Sequence, residues 1–294
     1  MSIALLEPDA PATIDWSRLA EPQADGYDTE IILRLATTSG SPLRPEPWQR
    51  RSVGRAPALF DGTVAVRNRA EGGLPVSLYT PAPPDHPNLL RAEAILRLWP
   101  EAAAQFAILV DTIQPWVDRR APAGQTMLPG SSSHSEEAEF GIVMVTVDHP
   151  FGTAQALVHE MAHHKLRALG VSLLRADRLV TNPPDQLYRS PIITDRLRPM
   201  TAVLHAQYSF IHVTALDVAA YRAAAWDTAL KRDAIYLLAR NVPRMEAGFE
   251  ELSRHLRTDE EGAAFCGAFM GWSERVIAEG RRILDAEGYG LPPL

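Results

Sequence analysis

His159 and His163 stand one helical turn apart and bracket Glu160 in the run Leu157-Val158-His159-Glu160-Met161-Ala162-His163. On a helix with 3.6 residues per turn, positions i and i+4 lie about 40° apart around the axis, so both imidazoles leave the same face. One rigid element then supplies two ligands of a metal site, in a donor type that suits zinc, iron, copper or nickel. Glu160 points roughly 100° away from His159 but can still reach water activated by such a metal, the station of the general base in zinc peptidases. Val158, Ala162, Leu166 and Leu169 form the adjoining apolar stripe that would dock the helix and dry the site. The opposing reading is a surface helix with two solvated histidines, for which Glu160, His163, His164 and Lys165 provide the polar face.

A third ligand has to come from elsewhere in the chain. His205 lies in Leu204-His205-Ala206-Gln207-Tyr208-Ser209-Phe210, on the next long helical segment, with Tyr208 and His212 at nearby positions of the same face. A second helix aiming His205 at the first would complete a three-point site. His212 is the alternative histidine, and Asp217 or Asp195 the alternative if the set is two imidazoles and a carboxylate. Either histidine could equally be a core residue satisfied by hydrogen bonds. His164 points off the ligand face, as a supporting or solvent-facing group, and His134 and His149 belong to upstream loops.

Several known uses of these residues fit poorly. A carboxylate-bridged di-iron site needs a second Glu-x-x-His, and the extended metzincin pattern needs glycine and histidine where Leu166 and Leu169 stand. A thermolysin-like glutamate ligand has no candidate between Glu160 and Glu246. Arg196 and Arg198, in Asp195-Arg196-Leu197-Arg198-Pro199, could clamp a carboxylate in two-point fashion or pair structurally with Asp195 or Asp185.

The elements around the motif follow from local pattern. Gly141 to Val147 is an apolar, β-branched run without alternation, which predicts a strand buried on both faces and stopped by Pro150 and Gly152. Thr153 then caps a helix running to about Leu169, closed by Gly170 in a left-handed conformation. After a proline-marked loop over 182–199, the alanine- and leucine-rich stretch 200–280 predicts helices, with Pro243 as the interior breaker. Of the 24 prolines, 17 fall in residues 1–150, leaving room for helices only in windows such as Leu89 to Leu98 and Ala102 to Val110. Pro81 to Pro87 reads as a stiff extended loop. The expected fold is α+β in a single enzyme domain, with an irregular proline-rich front part over 1–140 and a mostly helical, metal-binding part over 141–294.

Bulk composition narrows the function class. The 294 residues are 46% hydrophobic and 22% charged, an ordinary globular balance, and the net charge of -7 disfavours a nucleic-acid groove. The opening Met1 to Trp16 lacks Lys and Arg, and no apolar run approaches the ~18 to 20 residues of a spanning helix, so the expectation is a cytoplasmic protein without a membrane segment. The single cysteine, Cys266, excludes an internal disulfide and reads as a buried structural thiol.

The order Leu157-Val158-His159-Glu160-x-x-His163, Lys165-Leu166, Tyr188-x-Ser190-Pro191, Arg198-Pro199 and Leu204-His205-x-x-Tyr208-x-Phe210 resembles the HExxH-motif proteins encoded beside ribosomally made peptides. The resemblance covers about residues 140–221, and the serine run Ser131 to Ser133 resembles a loop of that family. Ile192, Ile193 and Ala206 depart from its pattern. The resemblance implies an iron(II)- and 2-oxoglutarate-dependent dioxygenase that hydroxylates the β-carbon of a residue in a ribosomally made precursor peptide. It further implies His159, His163 and His205 as iron ligands, Glu160 as an orienting group, and Arg198, with Arg196 beside it, as the partner of the cosubstrate's distal carboxylate. The alternatives are a zinc-dependent metallopeptidase with Glu160 as base, and a non-catalytic peptide-binding module that keeps a relict metal helix.

Overall fold

The computed structural model of the chain describes residues 13–38, 47–68, 77–120, 131–136, 139–224 and 227–289, so most of the opening segment lies outside the described residues. In the front half, α1 (Tyr27–Thr37), α2 (Pro87–Leu96) and α3 (Pro100–Leu109) are short. Proline opens both α2 and α3. Its missing N–H costs nothing in a first turn, so each helix starts two residues before the apolar window that announced it. The loop expected over Pro81 to Pro87 is shorter than its prolines suggest, because Pro81 ends a strand and Pro87 begins α2.

Six strands, β1 (Ala58–Leu59), β2 (Val64–Val66), β3 (Tyr79–Pro81), β4 (Thr112–Asp118), β5 (Ser133–His134) and β6 (Ile142–Thr146), form one sheet. Its order is β1-β2-β4-β6-β5, with β3 pairing the end of β4. The inner strands β2, β4 and β6 run parallel, and β1 and β5 close the edges antiparallel. Every residue of β6 is buried, as its unalternating β-branched run requires.

From β6 the chain turns directly into α4 (Pro150–Ala168), which carries the histidine pair. The cap differs from the expected one. His149 Nδ1 accepts the N–H groups of Phe151 and Gly152 at 3.2 and 3.4 Å, and Pro150 is the first helical residue. Thr153 instead donates to the carbonyls of Thr146 and His149, which pins the first turn of α4 to the end of β6. At the other end Gly170 takes φ +86, as expected. Gly170 N–H donates to the Arg167 carbonyl at 3.1 Å and Val171 N–H to the Leu166 carbonyl at 2.9 Å, the paired bonds of a Schellman cap.

Sixteen of the 19 residues of α4 are buried, so the surface-helix reading fails. Lys165 is fully buried, with Nζ 3.2 Å from Asp28 Oδ2 of α1. A buried ammonium of this kind is tolerable only with such a partner.

Beyond α4, β7 (Leu187–Tyr188) and β8 (Arg198–Pro199) pair antiparallel and tie together the ends of the 189–197 loop. Three long helices follow: α5 (Met200–Ala223), α6 (Thr228–His255) and α7 (Glu260–Ala286). The expected break at Pro243 does not occur, since α6 runs through it. Proline there forfeits only the backbone bond to the Ala239 carbonyl, while buried Asn241, Val242, Met245 and Glu246 hold the helix on either side. The main hydrophobic core extends from Trp16 to Leu284 and draws on both halves, a small second cluster joins Tyr79, Trp116 and Met144 of the sheet, and the fold is α+β with a helical C-terminal half. Cys266 is buried within it, and that burial pushes its thiol up to about 12. Among the described residues, no helix is long and apolar enough to cross a membrane.

Candidate metal centre

Two faces of α4 do different things. Toward the sheet, His164 is buried, its Nε2 is 3.2 Å from the Ile142 carbonyl, and its ring lies 4.8 Å from that of Phe140. It is therefore a core residue and neither faces solvent nor supports the metal pair. Toward α5, His159 and His163 bring their Nε2 atoms to 3.0 Å. Two nitrogens each about 2.0–2.1 Å from one ion stand roughly 3.0–3.4 Å apart, so this pair fits a single cation.

The third donor in reach is the carboxylate between them. Glu160 Oε1 lies 3.9 Å from His159 Nε2, and the ligand atoms of His159, Glu160 and His163 all fall within 4.8 Å of one another. Glu160 is buried, and Ser135 Oγ donates to its Oε2. Arg167, one turn past His163, donates to the carbonyls of Ser135 and Glu136 at 2.8 and 3.1 Å and so straps that serine to α4. Burial lowers the pKa of His159, and burial together with the neighbouring imidazoles holds His163 well below its usual value. Both rings are thus neutral near pH 7, the form that binds metal.

His205 arrives from α5, as its spacing predicts, but on the far side of His163. Its Nδ1 lies 2.9 Å from His163 Nδ1, and its Nε2 lies 2.9 Å from the Val171 carbonyl. Tautomers follow by elimination. A carbonyl only accepts, so His205 Nε2 carries its proton; His205 Nδ1 then accepts from His163 Nδ1–H, and His163 Nε2 is left bare toward His159. The Schellman turn at Gly170 delivers the carbonyl that begins this relay. In this arrangement His205 meets His163 at Nδ1 and stands outside the His159–Glu160–His163 group, whereas the resemblance implies it as a ligand. Burial holds the His205 imidazole down at about 3, so the relay stays neutral.

None of the other proposed third ligands joins the group. His212 is buried, with Nδ1 2.8 Å from the Tyr208 carbonyl and its ring 4.8 Å from that of Trp272. Asp195 is exposed in the 189–197 loop, His134 lies in β5, and His149 caps α4. Asp217 is buried and accepts from Gln155 Nε2 at 2.6 Å and Asn241 Nδ2 at 3.0 Å. Among the described residues, His159, Glu160 and His163 are the only such group suited to a metal ion.

A cavity of about 330 Å³ opens at His159, between Ser131 and Ser133 on one side and Arg240 and Arg244 on the other. Phe210 meets the His159 ring edge-on at 5.2 Å, and Gln155 lines the wall. Arg240 is half-buried, with Nη2 3.4 Å from Gln155 Oε1, so the Asp217–Gln155 contact continues to this guanidinium. The arginines proposed from sequence lie elsewhere: Arg198 is in β8, and Arg196 lines an adjoining cavity. The sequence pattern does not single out Arg240 and Arg244, whose i, i+4 spacing across Pro243 is the one signal it carries for them.

Burial raises the Asp217 carboxyl from 3.8 to about 8, against the opposing hydrogen bonds of Gln155 and Asn241 and the charge of Arg240. With its folded pKa above its unfolded one, the carboxyl is neutral when folded and charged when unfolded between about pH 4 and pH 8. Stability from this group is therefore complete below about pH 4, is lost as pH rises toward 8, and is constant above. Asp217→Asn removes that titration. The stability difference, variant minus wild type, should climb across this window and then level, as read from urea midpoints; a flat difference would contradict the assignment.

Comparison with protein-family models and with curated protein sequences finds no match to this chain.

Proposed function

We propose that this protein is an iron(II)- and 2-oxoglutarate-dependent hydroxylase acting on the β-carbon of a residue in a ribosomally made peptide. The observation that carries the reading is a group of two imidazoles and a carboxylate whose His159 lines one cavity together with two guanidiniums, Arg240 and Arg244. Two histidines and a carboxylate are the donor set of non-haem iron(II) oxygenases, which keep positions open on the metal. At about 330 Å³ the cavity lies within the range of small-molecule sites and suits a dicarboxylate with a substrate side chain beside it.

When bound, iron(II) with 2-oxoglutarate and dioxygen supplies the oxidation: the cosubstrate loses carbon dioxide and becomes succinate, and one oxygen atom enters a C–H bond. The chain's own residues position and protect. His159 and His163 would hold the metal through Nε2, and His205 keeps His163 in the tautomer that allows it. Ser135 fixes one oxygen of Glu160, leaving the other turned to the imidazoles. Arg240 would take the distal carboxylate in a charge-assisted pair, and Phe210 and Ile192 limit water beside His159.

A second reading, zinc-dependent peptide hydrolysis, is favoured by one contact. Glu160 Oε1, 3.9 Å from His159 Nε2, is within reach of water activated by zinc and could serve as its base. The readings separate without knowing the peptide: anaerobic 2-oxoglutarate added to the iron(II)-loaded protein should raise a visible charge-transfer band, and air should then release succinate. Loss of both signals, or cleavage of casein by the zinc-loaded protein, would overturn the hydroxylase.

A further inference from the structure

The cavity at His159 does not end at Arg244. That residue also lines a second cavity, of about 730 Å³, between α6 and the 189–197 loop. Along α6 the wall is made by Arg240, Arg244, Ala247, Glu251 and Arg254, spaced by threes and fours and so on one helical face, with Pro243 beside Arg244. Gly248 lets the loop lie close. A Cβ there would stand 2.8 Å from Pro191 Cγ and 2.0 Å from Gln207 Oε1.

The charge of this groove runs against that of the protein. The chain carries 29 basic and 36 acidic residues, yet the walls of the two joined cavities carry five arginines (189, 196, 240, 244, 254) and three acids (195, 250, 251). Two of the acids are occupied: Glu250 pairs with Arg254 at 2.7 Å, and Glu251 accepts the Arg189 backbone N–H at 2.9 Å. Asp195 faces the groove without a described partner. The side chains of Arg189, Arg196 and Arg244 make no hydrogen bond or ion pair among the described residues. Three uncommitted guanidiniums beside an apolar floor of Pro191, Pro243 and Ala247 match acidic side chains borne on an extended backbone.

We infer that this groove binds an acidic, extended segment of the peptide substrate, leading away from the residue held at the metal. The inference rests on the hydroxylase reading for the word substrate, but the binding itself needs no metal. From Arg240 to Arg254, α6 rises about 21 Å, which an extended chain of roughly six residues would span.

The test uses fluorescein-labelled octapeptides of alternating alanine with glutamate, glutamine or lysine, titrated into the metal-free full-length protein by anisotropy. The glutamate peptide should bind at least about tenfold more tightly than the glutamine one and weaken with salt. The exposed pair Arg189→Glu/Arg196→Glu should lose it and gain the lysine peptide, a reversal that misfolding does not produce. Equal binding of the glutamate and glutamine peptides, or a double variant that retains the glutamate preference, overturns the inference. The charge-transfer band of the iron(II) and 2-oxoglutarate complex is read separately. A band without acidic-peptide binding leaves the hydroxylase standing and the groove refuted, and the converse result does the opposite.

Discussion

His163→Ala should abolish stoichiometric binding of iron(II) or zinc, whereas His205→Ala should weaken it by about 10–100-fold and leave a titratable site. The difference follows from which nitrogen each ring offers. His163 Nε2 faces His159 Nε2 at 3.0 Å, and its loss removes half of the imidazole pair. His205 meets His163 at Nδ1, 2.9 Å away and on the side opposite the Nε2 that faces His159, and acts by fixing tautomer and ring orientation. Removing a partner of that kind typically costs 10–100-fold in metal affinity. Anaerobic calorimetric titration measures both, with circular dichroism to confirm that each variant folds. If His205→Ala loses metal as completely as His163→Ala, then His205 is a direct ligand and the orienting role is wrong.

The same pair of histidines marks how far sequence reaches. Local signals were legible: the β-branched run of β6, the 3.6-residue spacing of α4 and the left-handed Gly170 are each written within a few neighbouring residues. Even there the cap differs from the residue type that local preference selects: Thr153 is the favoured cap, but the acceptor is an imidazole nitrogen, His149 Nδ1. That His205 comes to the site was readable from its place on the next helix. Its role was not, because it depends on a carbonyl of Val171 presented by the turn after α4.

Long-range partners hid more. Lys165 looks like a surface residue until Asp28, 137 positions earlier, is found against it in the core. Arg240 and Arg244 look like the polar side of an amphipathic helix, and only the packing of α6 beside α5 turns that side toward His159. Arg196 and Arg198 precede the helix of His205 closely in sequence, which alone suggests a place at the site. Sequence neighbours of a site residue at the start of a helix need not face the site, and β8 carries Arg198 away from the His159 cavity.

Arg240 is accordingly where the largest effect on cosubstrate binding is expected. Its guanidinium lines the cavity with His159, is half-buried, and is steadied by Gln155, itself bonded to buried Asp217. A charge-assisted hydrogen bond lost from such a position costs about 1.5–3 kcal/mol, or roughly 10–150-fold in affinity. Arg240→Met should therefore raise the Kd of 2-oxoglutarate for the iron(II)-loaded protein by that factor, read from the charge-transfer band, while Arg198→Met shifts it by less than about twofold. A cosubstrate analogue isolates the contact. 2-Oxobutyrate keeps the chelating keto acid but lacks the distal carboxylate, so the wild-type protein should bind it about as weakly as Arg240→Met binds 2-oxoglutarate. The variant should barely distinguish the two acids, because the group that told them apart is gone. If Arg240→Met retains the full preference for 2-oxoglutarate, the distal carboxylate sits elsewhere, and a loss on Arg198→Met would return the role to β8.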